Sequence, residues 1–238
     1  MPLGVTVVTP SYAALAAEAI ARFRAATGCA AVLTIDVPED QGFLAKMHLD
    51  ELCAQRPIIF FDADWWALRE IDVEQVMVSG AGFRAVHDPA AFGAESWPGK
   101  DCLTAGIPQL EYFNTGFFAC DLSQHQTRQV FAHARDLRDA GRVQLADPTD
   151  QGWINLARHS LGQFVSLMPQ RFNYYHLSAV WGYYPHTPRG IVGLHAAGYS
   201  GADKMGALLQ QAEIFGTDFR PMAPDAMAAH HQATFENR

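Results

Sequence analysis

The apolar positions fall into two periodicities that alternate along the first sixty-four residues. "VTVVT" (5–9) is a continuous β-branched run, the pattern of a strand buried on both faces. Residues 11–28 repeat apolar side chains at helical spacing, with Ser11 as a candidate N-cap and Gly28 closing the helix. "AAVLTID" (30–36) predicts a second strand, residues 41–54 a second helix, and "PIIFFDAD" (57–64) a third strand. A β-α-β-α-β order predicts an α/β fold: a mainly parallel sheet flanked by helices. Ligands bind such sheets at the carboxyl ends of the strands, and Asp62 and Asp64 lie at one of those ends.

The second half is more mixed. "EYFNTGFFACDL" (111–122) predicts two short extended pieces around an Asn114-Thr115-Gly116 turn. Val130, Phe131, Ala134 and Leu137 mark a helix. "ADPTDQGWINLARH" (146–159) reads as a loop running into a helix, and "QFVSLMP" (163–169) as a strand. Residues 190–215 predict a strand, a Gly-rich turn and a final helix. Residues 217–238 carry little pattern and are expected to form a tail or a strap over the site, outside one domain spanning 1–216.

In an extended segment residues i and i+2 share a face, so Asp62 and Asp64 aim at one point. Two carboxylates so placed repel each other unless a cation lies between them or one is protonated. A hard divalent ion, Mg²⁺ or Mn²⁺, suits oxygen ligands. The competing reading is that Asp64 caps a helix starting at Trp65. His195 ends an apolar strand and offers an imidazole as a third ligand; taken without the aspartate pair it reads rather as a satisfied core or turn histidine. Lys204 stands near the start of the final helix, where an ammonium and helical N–H groups suit a phosphate; the alternative is a solvated lysine. Asp150 and Gln151 open another helix, where an N-cap is the plain reading. Trp65 and Trp66 either pack beneath the strand, the preferred expectation, or offer a sugar-stacking face.

Composition narrows the partners. Of 238 residues 49% are hydrophobic and 18% charged, enough apolar content for a sizeable core. The formal net charge is −8 with no Lys/Arg cluster, which argues against nucleic acid. No apolar run reaches the length of a membrane helix, and the N-terminus lacks the basic start of a signal peptide, so the expectation is a cytoplasmic protein with at most peripheral membrane association. Cys29, Cys53, Cys102 and Cys120 form no C-x-x-C pair and read as reduced, buried thiols.

The ordered set "FFDADWW", "YFNTGFFACDL", "DPTDQGWINLA" and "GLHAAGYSGADK" resembles the retaining, metal-dependent GT-A glycosyltransferases of family 8, the group of glycogenin and the bacterial lipopolysaccharide galactosyltransferases, over about residues 4–205. The resemblance implies a GT-A nucleotide-diphospho-sugar transferase fold and transfer of a hexose, galactose or glucose, from a UDP-sugar donor to a hydroxyl on a glycan, a lipid-linked or a small-molecule acceptor. It implies Asp62, Asp64 and His195 as ligands of Mn²⁺ or Mg²⁺, and Thr9, Tyr12, Lys46, Asp62, Asn114, Gly198 and Lys204 as donor contacts. It also implies Asp150 and Gln151 beside the anomeric carbon. One departure stands out: Lys204 follows Gly198 by six residues where the family pattern has three. The rival readings are an inverting GT-A transferase with Asp150 as base, a haloacid-dehalogenase-like phosphatase built on the aspartate pair, and a GT-A domain that binds nucleotide or glycan without turnover.

Overall fold

A computed structural model describes residues 1–77, 80, 82–175, 190–199 and 203–218. Its main sheet has six strands: β1 (Leu3–Val8), β2 (Val32–Asp36), β3 (Pro57–Phe61), β5 (Phe83–His87), β6 (Phe113–Asp121) and β7 (Val165–Met168), in the order β2-β1-β3-β6-β5-β7. β6 alone runs against its neighbours; the remaining strands are mutually parallel. A two-stranded antiparallel ribbon joins β4 (Trp65–Ala67) to β8 (Gly193–His195). The longer helices are α1 (Ala13–Thr27), α4 (Trp97–Ala105), α5 (His125–Ala140), α6 (Asp150–Ser160) and α7 (Asp203–Phe215); α2 (Leu49–Leu52) and α3 (Val73–Val76) are single turns.

The unbroken apolar runs have a direct cause. Ile58 and Phe60 of β3 point into one hydrophobic layer, with Val130 and Phe131 of α5 and Ile154 of α6. Ile59 and Phe61 point into the other, with Phe23 of α1 and the two tryptophans. β6 alternates in the same way, Phe117 and Ala119 to one layer and Phe118 and Cys120 to the other. Each such side chain adds about 1.5–3 kcal/mol of burial free energy, so β3 and β6 are fixed in register from both faces. The strand ends therefore deliver Asp62 and Asn114 to defined places.

Several expectations need correction. Ser11 does not cap α1; it lies in a 3-10 turn (Pro10–Tyr12) and its hydroxyl donates to Glu39, while Gly28 does close the helix with φ +66°. The helix expected over 41–54 is two 3-10 turns, Glu39–Gln41 and Leu44–His48, followed by α2. Ala45, Lys46 and Met47 are all buried there, a run of consecutive buried residues that an amphipathic helix does not supply. The Asn-Thr-Gly segment is not a turn. It bulges within β6, whose pairing with β5 jumps from Ala85–Phe118 to Val86–Asn114. Asp64 caps no helix, because Trp65 enters β4. All four cysteines are free and buried. Among the described residues no helix is long and apolar enough to cross a membrane. Of the segment expected as a tail, residues 219–238 lie outside the described residues; Thr217 and Asp218 run back along Leu68, whose carbonyl accepts from the Asp218 amide at 2.9 Å.

Candidate functional site

β3 ends at Phe61, and the Asp62 amide donates to Gly116 O across the β6 bulge at 2.9 Å. Two residues on, the chain pairs with β8: Trp65 opposes His195, and the Ala196 amide donates to Asp64 O at 3.0 Å. That register carries His195 to the aspartates from 130 residues away in sequence. The tryptophans hold the register. Trp65 is fully buried, stacks on Phe117 with ring centres 4.4 Å apart and donates its indole N–H to Phe172 O at 3.0 Å. Trp66 is also fully buried, under the Arg22 guanidinium at 4.7 Å. Packing is their role, and the sugar-stacking reading falls.

His195 Nε2 lies 3.4 Å from Asp62 Oδ2 and 3.3 Å from Asp64 Oδ1. Each carboxylate gives its other oxygen to a lysine: Asp62 Oδ1 is 2.8 Å from Lys46 Nζ, and Asp64 Oδ2 accepts from Lys204 Nζ. Lys204, in the first turn of α7, also donates to Ala196 O at 3.1 Å and lies over the Tyr12 ring. The longer loop after Gly198 thus still brings Lys204 to the site. Gly198 itself has φ +85°, a conformation that favours glycine.

Charge pairing opposes burial throughout. Burial alone raises both carboxyl pKa values, but Lys46 and His195 hold Asp62 below the usual range, and His195 and Lys204 do the same for Asp64. Burial alone lowers the imidazole, yet the two carboxylates push His195 up to about 9. Lys46 also reaches Asp150 Oδ2 at 3.4 Å. There burial wins, and Asp150 is pushed up to about 6 against the opposing pull of Lys46, with the nearby Asp62 charge adding to the rise.

Asp150 and Gln151 begin α6 and face the β6 bulge. Thr115 Oγ1 donates to Asp150 Oδ2 at 2.7 Å, and the Thr115 amide donates to Gln151 Oε1 at 3.1 Å. Asn114 Oδ1 accepts from the Gly116 amide at 2.9 Å and from Asn173 Nδ2 at 2.8 Å. A residue that sequence reasoning missed joins this layer. Asp88, nearly fully buried after β5, accepts from Gln151 Nε2 at 2.9 Å, from Asn114 Nδ2 at 3.3 Å and from the Tyr175 hydroxyl. The only sequence signal at Asp88 is "HDP", a turn-cap pattern, and Asp88 does cap a 3-10 turn through the Ala90 amide at 2.9 Å.

All eleven residues singled out in the sequence border one cleft of about 540 Å³. Thr9, Tyr12, Glu39 and Phe43 lie at the β1–β2 end, and Asp147, Thr149 and Trp97 lie toward α4 and α6. The donor set fits a divalent cation. One atom each of Asp62, Asp64 and His195 lies within 4.8 Å of the others. The spacings of 3.3 and 3.4 Å about Nε2 are close to the roughly 3 Å expected between adjacent ligands around an ion about 2.1 Å away. A Cβ on Gly116 would collide with His195 Cε1 and lie 2.6 Å from Nδ1, so glycine is what lets the imidazole seat itself.

No family model and no curated protein matches the chain. Solved structures do. The family 8 galactosyltransferase LgtC, in complex with donor and acceptor sugar analogs, matches with a TM-score of 0.65 at 16% identity over 92% of this chain and 97% of that one. The fold is GT-A. The bifunctional glycosyltransferase WbbM matches at 0.63 and 15% identity over 84% of this chain and 46% of that one. Mouse xyloside xylosyltransferase 1 matches at 0.56 and 10% identity over 83% and 98%. Within this GT-A fold the aspartate pair, His195 and both lysines occupy the carboxyl end of the sheet, where open α/β sheets take their ligands.

Proposed function

We propose that the chain is a metal-dependent, retaining hexosyltransferase that moves galactose or glucose from a UDP-sugar to a hydroxyl acceptor. The observation that carries this reading is the convergence of Asp62, Asp64 and His195 between two lysines at the carboxyl end of a GT-A sheet. Asp62, Asp64 and His195 would hold Mn²⁺ or Mg²⁺, which when bound neutralises charge on a departing diphosphate. Lys204 adds a positive charge beside that group and Lys46 steadies Asp62 and Asp150. Thr9 and Tyr12 serve the nucleoside end, Asn114 the donor sugar, and Gly198 lets backbone approach the diphosphate. Asp150 and Gln151 flank the reacting carbon and stabilise positive charge on the sugar ring.

Asp150 is nearly fully buried and its Oδ2 is engaged by Thr115 and Lys46. That favours attack by the acceptor from the face UDP leaves over a covalent sugar on Asp150, and it disfavours Asp150 as the free base an inverting enzyme needs. The phosphatase reading loses support because a histidine and two lysines, rather than further carboxylates, complete the aspartate pair. Residues 1–216 would act as the catalytic domain, in the cytoplasm.

The test is UDP release from UDP-galactose and UDP-glucose with Mn²⁺, run with the wild type and Asp64→Asn. Metal-dependent release that falls at least a hundredfold in the variant supports the transferase. Nucleotide binding with no release from either sugar leaves the non-catalytic GT-A domain as the better account.

A further inference from the structure

The buried Trp65 and Trp66 offer no face to the cleft, but another tryptophan does. Trp97 is 57% exposed and borders the cleft. It is the first residue of α4, and its position is tightly set. The Ser96 hydroxyl accepts from the Gly99 amide at 3.0 Å and donates to Gly93 O at 2.7 Å. A Cβ on Gly99 would collide with Gly93 O, so the helix start rests directly on the backbone of the preceding turn.

One helical turn on, Asp101 lies on the same face as Trp97. Its Oδ1 accepts from the amides of Ala146 at 2.6 Å and Asp147 at 3.3 Å. α4 is thereby tied to the loop that leads into Asp150 and Gln151. Trp97 accordingly borders the cleft from the Asp150 side. Phe43, another strongly exposed aromatic of the cleft wall, stands at the start of the 3-10 turn that carries Lys46 rather than on α4.

We propose that Trp97 is a specificity-determining residue for the acceptor: its indole face receives the C–H face of a pyranose ring, so the acceptor is a carbohydrate. This rests on the transferase reading above. An exposed indole has a flat apolar face and low conformational entropy, which suits a ring that is apolar on its face and polar at its edge. Asp147 and Thr149 border the cleft in the same region and offer partners for hydroxyls on that edge.

Saturation-transfer NMR with lactose and with maltose, in the presence of UDP and Mg²⁺, tests the assignment, with butane-1,4-diol as a ringless hydroxyl control. The expected result is saturation of ring C–H protons in at least one disaccharide and none in the diol. Trp97→Ala should weaken the sugar signal about tenfold, and Trp97→Phe should restore most of it. A UDP melt shift read on the same samples separates the two readings. A wild type with no UDP shift sinks the donor site and the acceptor assignment with it. A UDP shift with no sugar signal, with equal signals from sugar and diol, or with a sugar signal unchanged in Trp97→Ala overturns the Trp97 assignment alone. If Trp97→Ala loses the UDP shift as well, its fold is damaged and Trp97→Tyr decides: a retained sugar signal supports stacking, and a lost one rejects it.

Discussion

One group of carboxylates lines the cleft and another braces its lining residues Asn114 and Gln151 from behind, and the two are neutralised by different means. Asp62 and Asp64 answer to full charges: Lys46, Lys204 and His195. Asp88 answers to neutral donors, the amides of Asn114 and Gln151 and the hydroxyl of Tyr175. Asp150 stands between, sharing Lys46 with Asp62 and taking a neutral hydrogen bond from Thr115. The first arrangement lets a carboxylate exchange one cation for another at modest cost, because the charge balance survives the exchange. The second fixes a carboxylate in place, because no incoming ion replaces four directional donors, the Ala90 amide included. On the proposed reading, the contrast gives the metal to the first group and scaffolding to the second.

The strongest way to break this contrast is to remove the shared cation. Lys46→Met leaves Asp62 and Asp150 facing each other without their ammonium. Breaking a buried pair in this way costs about 3–5 kcal/mol, a fall in melting temperature of roughly 10 °C for a chain of this size. A shift of under 2 °C would mean Lys46 balances nothing.

Next in size is a pH effect in the metal-free protein. His195 is raised to about 9 by the two carboxylates, against about 6.5 unfolded. A raised imidazole contributes stability that is fully present below about pH 6.5 and is lost as pH rises through about 9, at most about 3 kcal/mol. In EDTA, melting temperatures should fall across that window, and His195→Gln should flatten the slope. Asp150 carries an acid-side counterpart. Its folded pKa of about 6 lies above the unfolded value near 3.9, so the folded state binds more protons between those values and stability falls as pH rises through them. Asp150→Asn should remove that component.

Gly116→Ala sharpens the contrast by pressing chiefly on the imidazole, with a lesser contact on Asn114 Oδ1 at 2.9 Å. The added methyl group collides with His195 and costs about 1–3 kcal/mol, and Mn²⁺-dependent binding of UDP should weaken by more than tenfold. The smallest effect on the metal site belongs to the neutral layer. Asp88→Asn turns one acceptor into a donor that faces Gln151 and Asn114, which costs about 1–3 kcal/mol, while leaving metal affinity within about threefold in a calorimetric titration.

The legible part of the sequence was the part governed by burial. Continuous apolar runs marked β1, β2 and β3 because those strands are covered on both faces, and the D-x-D announced its place at a strand end. Long-range pairing was not legible. Nothing local in "DWWA" announces that Trp65 pairs with His195, and the tryptophans admit a stacking role until their burial is known. The Asn-Thr-Gly segment carries the residues of a turn, but the register between β5 and β6 absorbs it as a bulge. Asp88 was missed because its partners come from residues 114, 151 and 175, which only the fold brings together. Lys46 was noticed through resemblance and misplaced on a helix, since the demand that set its conformation was a buried charge pair.

The most direct test of the central claim is a thermal melt with UDP, with Mn²⁺, with both and with neither, on the wild type and on Asp64→Asn. Ligand at about a hundred times its dissociation constant adds roughly 2.7 kcal/mol, or about 5–10 °C here. The account predicts a shift that requires both components and disappears in Asp64→Asn. No shift, or an equal shift in the variant, would contradict a metal–diphosphate site at Asp62, Asp64 and His195.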